Sequence, residues 1–358
     1  MIFDNMKWFD INILIFMLVS LVLNILVGYA WHKKFYQKLG LKSYKAIQRI
    51  HLNETPRLAG FIFILALAGY AIFSKPSESI FLLRIMLLSL IPILIIGLKE
   101  DLFHNVYPVT RLLAIFLTAW SFLNNFNGPL PYLSEISILS DIFFFQVGIF
   151  VFFILGMTAI ANGMNLVDGV NGLCGSIAVV ILSGFLFLSY QTADTTMLLL
   201  ILSILLLFIP YIFLNYPSGY IFLGDLGAYS LGLIMSMIAI IFFGRHPEIS
   251  VWSGVLIFIY PATEITFSVL RRLFNGASIF HADTMHLHLY IFNFFRVKPG
   301  YKKIANSLVT PILGLLWLFP LLALTWTYHR SIYSQISIII FIIFYCTMYK
   351  LFSKYTKK

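Results

Sequence analysis

The chain has 358 residues, of which 60% are hydrophobic and 11% charged, with a net charge of +10. Soluble domains carry roughly 25% charged residues, so a soluble globular protein is excluded and an integral membrane protein is implied. The two cysteines, Cys174 and Cys346, show no metal-ligand spacing, which argues against a zinc site and a structural disulfide.

A helix needs about 20 apolar residues to cross a bilayer. About eleven such runs occur, roughly at 11–31, 58–73, 79–98, 111–126, 143–162, 173–190, 195–214, 227–243, 251–270, 306–327 and 332–353. They do not alternate as barrel strands would, and a helix satisfies its own backbone in lipid. The first run is too long for a signal-peptide core and lacks a cleavage site, so it reads as a permanent anchor. The expectation is an all-α polytopic membrane protein with about eleven transmembrane helices. It forms one domain, 1–358, without repeats.

Most of the 24 Lys and Arg residues fall in the loops after spans one, three and nine and at the C-terminus. Basic loops mark the cytoplasmic side. That predicts an N-terminus outside, a C-terminus in the cytoplasm, and odd-numbered loops inside. The basic surplus is thus explained without nucleic acid. The opposite loops read as short and bland.

Five polar clusters interrupt the apolar pattern, all in predicted inner loops. The first is the turn Thr55-Pro56-Arg57, where Arg57 reads either as a phosphate ligand or as one more interfacial anchor. The second is Glu100-Asp101, with His104, Pro108 and Arg111 following. Adjacent carboxylates at a span end are costly in a membrane and suit metal or phosphate handling. The third is Asn165-Leu-Val-Asp168-Gly169-Val-Asn171-Gly172, rich in oxygen donors and bare backbone, with no basic residue near Asp168. The fourth runs from Asn215 to Phe222-Leu-Gly-Asp225-Leu-Gly227. Asp225 reads as a hard-metal ligand or a helix cap. The fifth is Arg271-Arg272 followed by His281, Asp283, His286 and His288. Without a Cys or an HExxH spacing it is no zinc site, so phosphate binding is the better reading.

In their order and spacing these motifs resemble the polyprenyl-phosphate N-acetylhexosamine-1-phosphate transferase family. The resemblance spans about residues 50–290. It implies transfer of N-acetylhexosamine-1-phosphate from a UDP-sugar to undecaprenyl or another polyprenyl phosphate, with release of UMP. This would start a cell-surface polysaccharide at the bacterial inner membrane. Loops 32–57, 99–110, 163–172, 215–226 and 271–305 would form the cytoplasmic active site. Asp225 and Asn165 would hold Mg²⁺, with Mn²⁺ the alternative. Glu100 and Asp101 would orient or deprotonate the lipid phosphate. Asp168 and Asn171 would order the diphosphate or nucleoside, Phe222 would stack on uracil, and Asn215 would hydrogen-bond nearby. Arg57, His286 and His288 would hold phosphate or sugar. The partners expected are the polyprenyl phosphate, the UDP-N-acetylhexosamine and membrane lipids. Monomer and homodimer are left open.

The chain departs from the family pattern at Glu100 and Asn171, each in place of an Asp, at Ala59 in place of a Gly, at Thr284 in place of an Arg, and at Leu289 in place of a His. These differences argue against the muramoyl-pentapeptide branch. An Asp returned at position 171 is expected to be tolerated better than Asn at position 168, if only Asp168 needs its charge. The competing class is a secondary transporter, for which Pro261 and Glu264 in span nine would mark a broken helix.

Overall fold

The computed structural model describes residues 11–34, 55–133, 146–276 and 285–355. His281, Asp283 and the segment before Thr55 lie outside them. Among the described residues all regular structure is helical. In chain order the helices are α1 Ile11–His32, α2 Ala59–Phe73, α3 Glu78–Ser89, α4 Ile91–Phe103, α5 Pro108–Asn125, α6 Gln146–Val167, α7 Leu173–Gln191, α8 Thr195–Asn215, α9 Gly224–Arg245, α10 Val251–Ile257, α11 Ile259–Phe274, α12 Leu287–Arg296, α13 Ala305–Ile312, α14 Gly314–Thr327 and α15 Ser331–Ser353.

Each of the eleven apolar runs is helical, but the count of eleven spans needs correction. Among the described residues seven stretches are long and apolar enough to cross a membrane, and nine if each bent pair counts as one span. The pairs are α3 with α4, bent by 55°, and α10 with α11, bent by 72°. Helix α2 has 15 residues and rises about 22 Å, short of the roughly 30 Å hydrocarbon core. Apolar composition alone did not reveal where the backbone breaks or a helix stops early.

Helix α9 is the centre of the molecule. It is apolar all round, as a wholly buried helix must be, and it packs against α2, α4, α6 and α7. The contact with α2 is backbone to backbone. A Cβ at Gly60 would lie 2.2 Å from the Gly227 Cα, so neither glycine tolerates a side chain without moving a helix. Twenty residues separate Asp225, at one end of α9, from Arg245 at the other, about 30 Å along the axis.

The far end of α9 is not bland. Arg245 pairs with Glu78 at 2.6 Å and with Asp194 at 2.8 Å, and His246 meets Asp194 and Glu248 at 2.9 Å each. Asp194 also caps α8 by accepting from the Met197 N–H at 3.0 Å. Although burial raises it, that hydrogen bond, Arg245 and His246 together hold its carboxyl below the ordinary value. Loops that look sparse one at a time thus gather into a single ionic tie between α3, α8 and α9.

Candidate active site

Asp225 sits in the first turn of α9, and the cluster is built around it. The residue before α9, Leu223, offers no side-chain cap. Asp101, at the end of α4, supplies the cap instead. Its Oδ1 accepts the Asp225 N–H at 2.7 Å and its Oδ2 the Leu226 N–H at 3.0 Å. Two of the orphan donors at the α9 N-terminus are thereby satisfied by a buried carboxylate, which the helix dipole also favours. Gly224, at φ +81°, makes the approach feasible, since a Cβ there would lie 2.5 Å from Asp101 Oδ2.

The Asp225 side chain faces two arginines. The Arg57 Nη2 donates to its Oδ1, and the Arg111 Nη1 donates to its Oδ2 at 2.6 Å. The Asn165 side chain lies alongside the same carboxylate. Arg57 also stands 3.6 Å from Asp101, and Arg111 stands 3.7 Å from Glu100. Glu100 holds the turn after α4 by accepting the Val106 N–H at 2.9 Å. His104 closes α4 in the left-handed conformation, at φ 52°. Burial, with the charge of Arg57, pushes the His104 imidazole below its ordinary value, against the pull of Asp225.

Asp168 occupies the turn between α6 and α7, half-buried, and its carboxylate has no hydrogen bond or ion pair among the described residues. Burial pushes it up to about 8, with Arg57 opposing and Asp225 adding to the rise. It is the carboxylate of the cluster left without a counter-charge.

Asn171 and Asn215 hold the walls. Asn171 Nδ2 donates to the Pro217 carbonyl at 2.9 Å, its N–H donates to Asn306 Oδ1 at 2.7 Å, and its carbonyl accepts from Thr310 Oγ1 at 2.6 Å. Asn215 Oδ1 accepts the Gly172 N–H at 2.7 Å, and its Nδ2 donates to the Ile221 carbonyl at 2.9 Å. Both amides are buried and committed largely to backbone. The Asn215 amide is engaged by loop backbone, and an Asp at 171 would lose the donor that the Pro217 carbonyl accepts. The half-buried Phe222 is reached through its backbone: its N–H donates to the Pro56 carbonyl at 2.8 Å and its carbonyl accepts the Ala59 N–H at 3.1 Å. These bonds lace the Arg57 turn to the Asp225 loop.

His286 and His288 are both buried, with parallel rings 5.5 Å apart. A Cβ on Gly169 would lie 2.5 Å from His288 Nε2, so the pair abuts the Asp168 turn. Glu264 joins them, its Oε2 3.4 Å from His286 Nδ1. The break expected of a transporter site therefore belongs to the same cluster as the five motifs.

All eleven residues singled out from the sequence fall in or around this one region. Sequence reasoning missed the role of Arg111, taken for a basic loop residue, and of Glu264, taken for a transporter mark. The signal for Arg111 was its place at the start of α5, directly after the acidic pair.

Oxygen donors and two arginines, from separate loops, are groups of the kind that bind cations and phosphates. The chain matches glycosyl transferase family 4 over residues 83–243. That family-4 stretch contains every carboxylate of the cluster except Glu264, while Arg57, His286 and His288 lie outside it. The chain is 25% identical over 286 residues, 78% of its length and 76% of the relative's, to a Bacillus subtilis (strain 168) protein named probable undecaprenyl-phosphate N-acetylglucosaminyl 1-phosphate transferase. It is 27% identical over 230 residues, 63% of its length and 67% of the relative's, to a Thermotoga maritima undecaprenyl-phosphate alpha-N-acetylglucosaminyl 1-phosphate transferase. It is 26% identical over 270 residues, 74% of its length and 84% of the relative's, to a Dictyoglomus turgidum phospho-N-acetylmuramoyl-pentapeptide-transferase.

The donor set bears on a metal. Among the described residues no three His, Cys, Asp or Glu side chains form a ready cage. Asp225 and Asp168 nonetheless offer carboxylate oxygens to the cluster, and the Asn165 amide, whose N–H donates to Asp225, carries a further oxygen. This fits Mg²⁺, which is usually held by one or two carboxylates, water and substrate phosphates rather than by a closed protein site.

Proposed function

We propose that the protein transfers N-acetylhexosamine-1-phosphate from a UDP-sugar to undecaprenyl or another polyprenyl phosphate in the bacterial inner membrane, as the first step of a cell-surface polysaccharide. The observation that carries this reading is the pairing of Asp225 with Arg57 and Arg111 beside an uncompensated Asp168. Two guanidinium groups suit phosphate oxygens. Burial keeps a proton on this acid up to about pH 8, and it can give that proton up to a cation or exchange it with a substrate phosphate. The Bacillus subtilis and Thermotoga maritima relatives, named for undecaprenyl phosphate, support the same reaction class.

In the reaction, an oxygen of the lipid phosphate bonds to the β-phosphorus of the donor as the bond to the UMP oxygen breaks. Such transfers need positioning and charge stabilisation more than covalent help. Arg57 and Arg111 neutralise the phosphates. Asp168 holds or takes a proton at the attacking phosphate oxygen, whose second pKa near 6 makes a strong base unnecessary. Asp101 sets Asp225 in place, and Glu100 sets Arg111. Asn171 and Asn215 hold the loops that frame the donor. Phe222 offers a ring for uracil, and His286 and His288 meet phosphate or sugar. Asp225 and Asn165 would hold Mg²⁺, or Mn²⁺, which supplies charge neutralisation when bound.

The basic loops support a cytoplasmic position for this end of the bundle, with the N-terminus outside. The test is to incubate purified protein in detergent with Mg²⁺, undecaprenyl phosphate and a panel of labelled UDP-N-acetylhexosamines. Release of UMP that stops with EDTA is expected. Well-folded protein that releases none with any donor overturns the reading.

A further inference from the structure

Glu264 is 1% exposed and sits in α11, just past the 72° bend that separates this helix from α10. A buried carboxylate in a membrane bundle calls for a partner. Among the described residues no Lys or Arg pairs with it, and the charges that act on it are those of His286 and His288. His286 Nδ1 lies 3.4 Å away, a length that catalytic hydrogen bonds commonly show before substrate tightens them. Tyr260 and Tyr345 wall the carboxylate on its remaining sides.

The contacts continue in one direction. The His286 ring is parallel to His288, with 6° between their planes. His288 Nε2 rests on Gly169, next to Asp168. Helix α11 packs against α6, the helix that ends in the Asp168 turn, and a Cβ on Gly163 of α6 would lie 2.5 Å from the Pro261 carbonyl. The bend therefore aims Glu264 inward at a site whose other acids, among the described residues, lie at least 39 residues away in sequence.

We propose that Glu264 is the positioning residue of the histidine pair. By accepting from His286 Nδ1–H it fixes the tautomer and tilt of that ring, and through the stack it sets His288 against the Asp168 turn. The imidazoles are thereby held ready for an anionic phosphate of the nucleotide sugar. This role rests on the transferase reading, but it makes a claim about His286 that can be checked without turnover.

The first test is a double-mutant cycle on UMP release. Glu264→Gln should lower kcat/KM roughly ten- to a hundredfold. In a His286→Asn background the same change should cost less than about twofold, because the group it acts through is gone. Equal losses in both backgrounds overturn the proposal. The second test is the spectrum of ¹⁵N-histidine-labelled protein in detergent, with the His286 signal assigned by its loss in His286→Asn. Wild type should show a protonated Nδ1, and Glu264→Leu should return the ring to the mixed tautomers of free histidine. A His286 signal that ignores Glu264 overturns the proposal even in active protein. A signal that responds, in protein that releases no UMP, upholds the positioning and overturns the transferase reading instead. Melting curves accompany each variant, and Glu264→Asp replaces any variant that fails to fold.

Discussion

Asp101→Asn separates two roles that the sequence could not. A carboxylate beside another carboxylate invites a catalytic reading, as an acid or base on the lipid phosphate. In the structure both of its oxygens are taken, by the N–H groups of Asp225 and Leu226. Asparagine keeps one acceptor and turns an NH₂ toward the second N–H. One charge-assisted bond of about 1.5–3 kcal/mol is lost and the other weakens to about 1 kcal/mol, so the variant should be about 2–5 kcal/mol less stable. The change also loosens the first turn of α9, and with it the carboxylate that faces Arg57 and Arg111. The expected result is a melting temperature several degrees lower together with a deep loss of UMP release. A thiol-reactive dye reads the melt, because Cys174 is buried and Cys346 exposed, and Cys346→Ser removes the background. An Asp101→Asn protein that melts like wild type but does not turn over refutes the capping argument and returns Asp101 to direct chemistry.

Asp225→Asn should abolish UMP release while the protein still folds, since the site loses the charge set between two arginines; near-normal turnover counts against its role. Asn171→Asp should destabilise by about 1–3 kcal/mol, because the Pro217 carbonyl loses its donor and meets a carboxylate; an unchanged melting curve would contradict that placement. Asp168 binds its proton up to about pH 8 when folded, against an ordinary 3.8. The folded state therefore holds a proton that the unfolded chain releases across this window, and stability falls as pH rises through it. Wild type should lose melting temperature relative to Asp168→Asn between about pH 4 and pH 8, and parallel curves would sink the assignment. If Asp168 takes the proton in turnover, UMP release by wild type should also climb toward that pH and level off above it.

The sequence by itself determined the solvent and the chemistry. Long apolar runs admit only helices in lipid, and polar residues survive in such a chain where they serve something, so the five motif clusters were visible as exceptions. What it could not determine was the division of labour among them. Asp101 and Asp225 are the same residue type at similar span ends, yet one caps a helix and the other faces two arginines. That difference exists only once α4 is laid against the start of α9. Asn171 and Asn215 look like ligands in a string of amides, but their partners are carbonyl and N–H groups in another loop. The sequence marked Arg111 and Glu264 only by position, not by role, because their partners lie 114 and 22 residues away. Hydrophobic patterning records which face meets lipid, whereas hydrogen bonds and ion pairs depend on distances of a few ångströms between distant segments, and packing alone sets those.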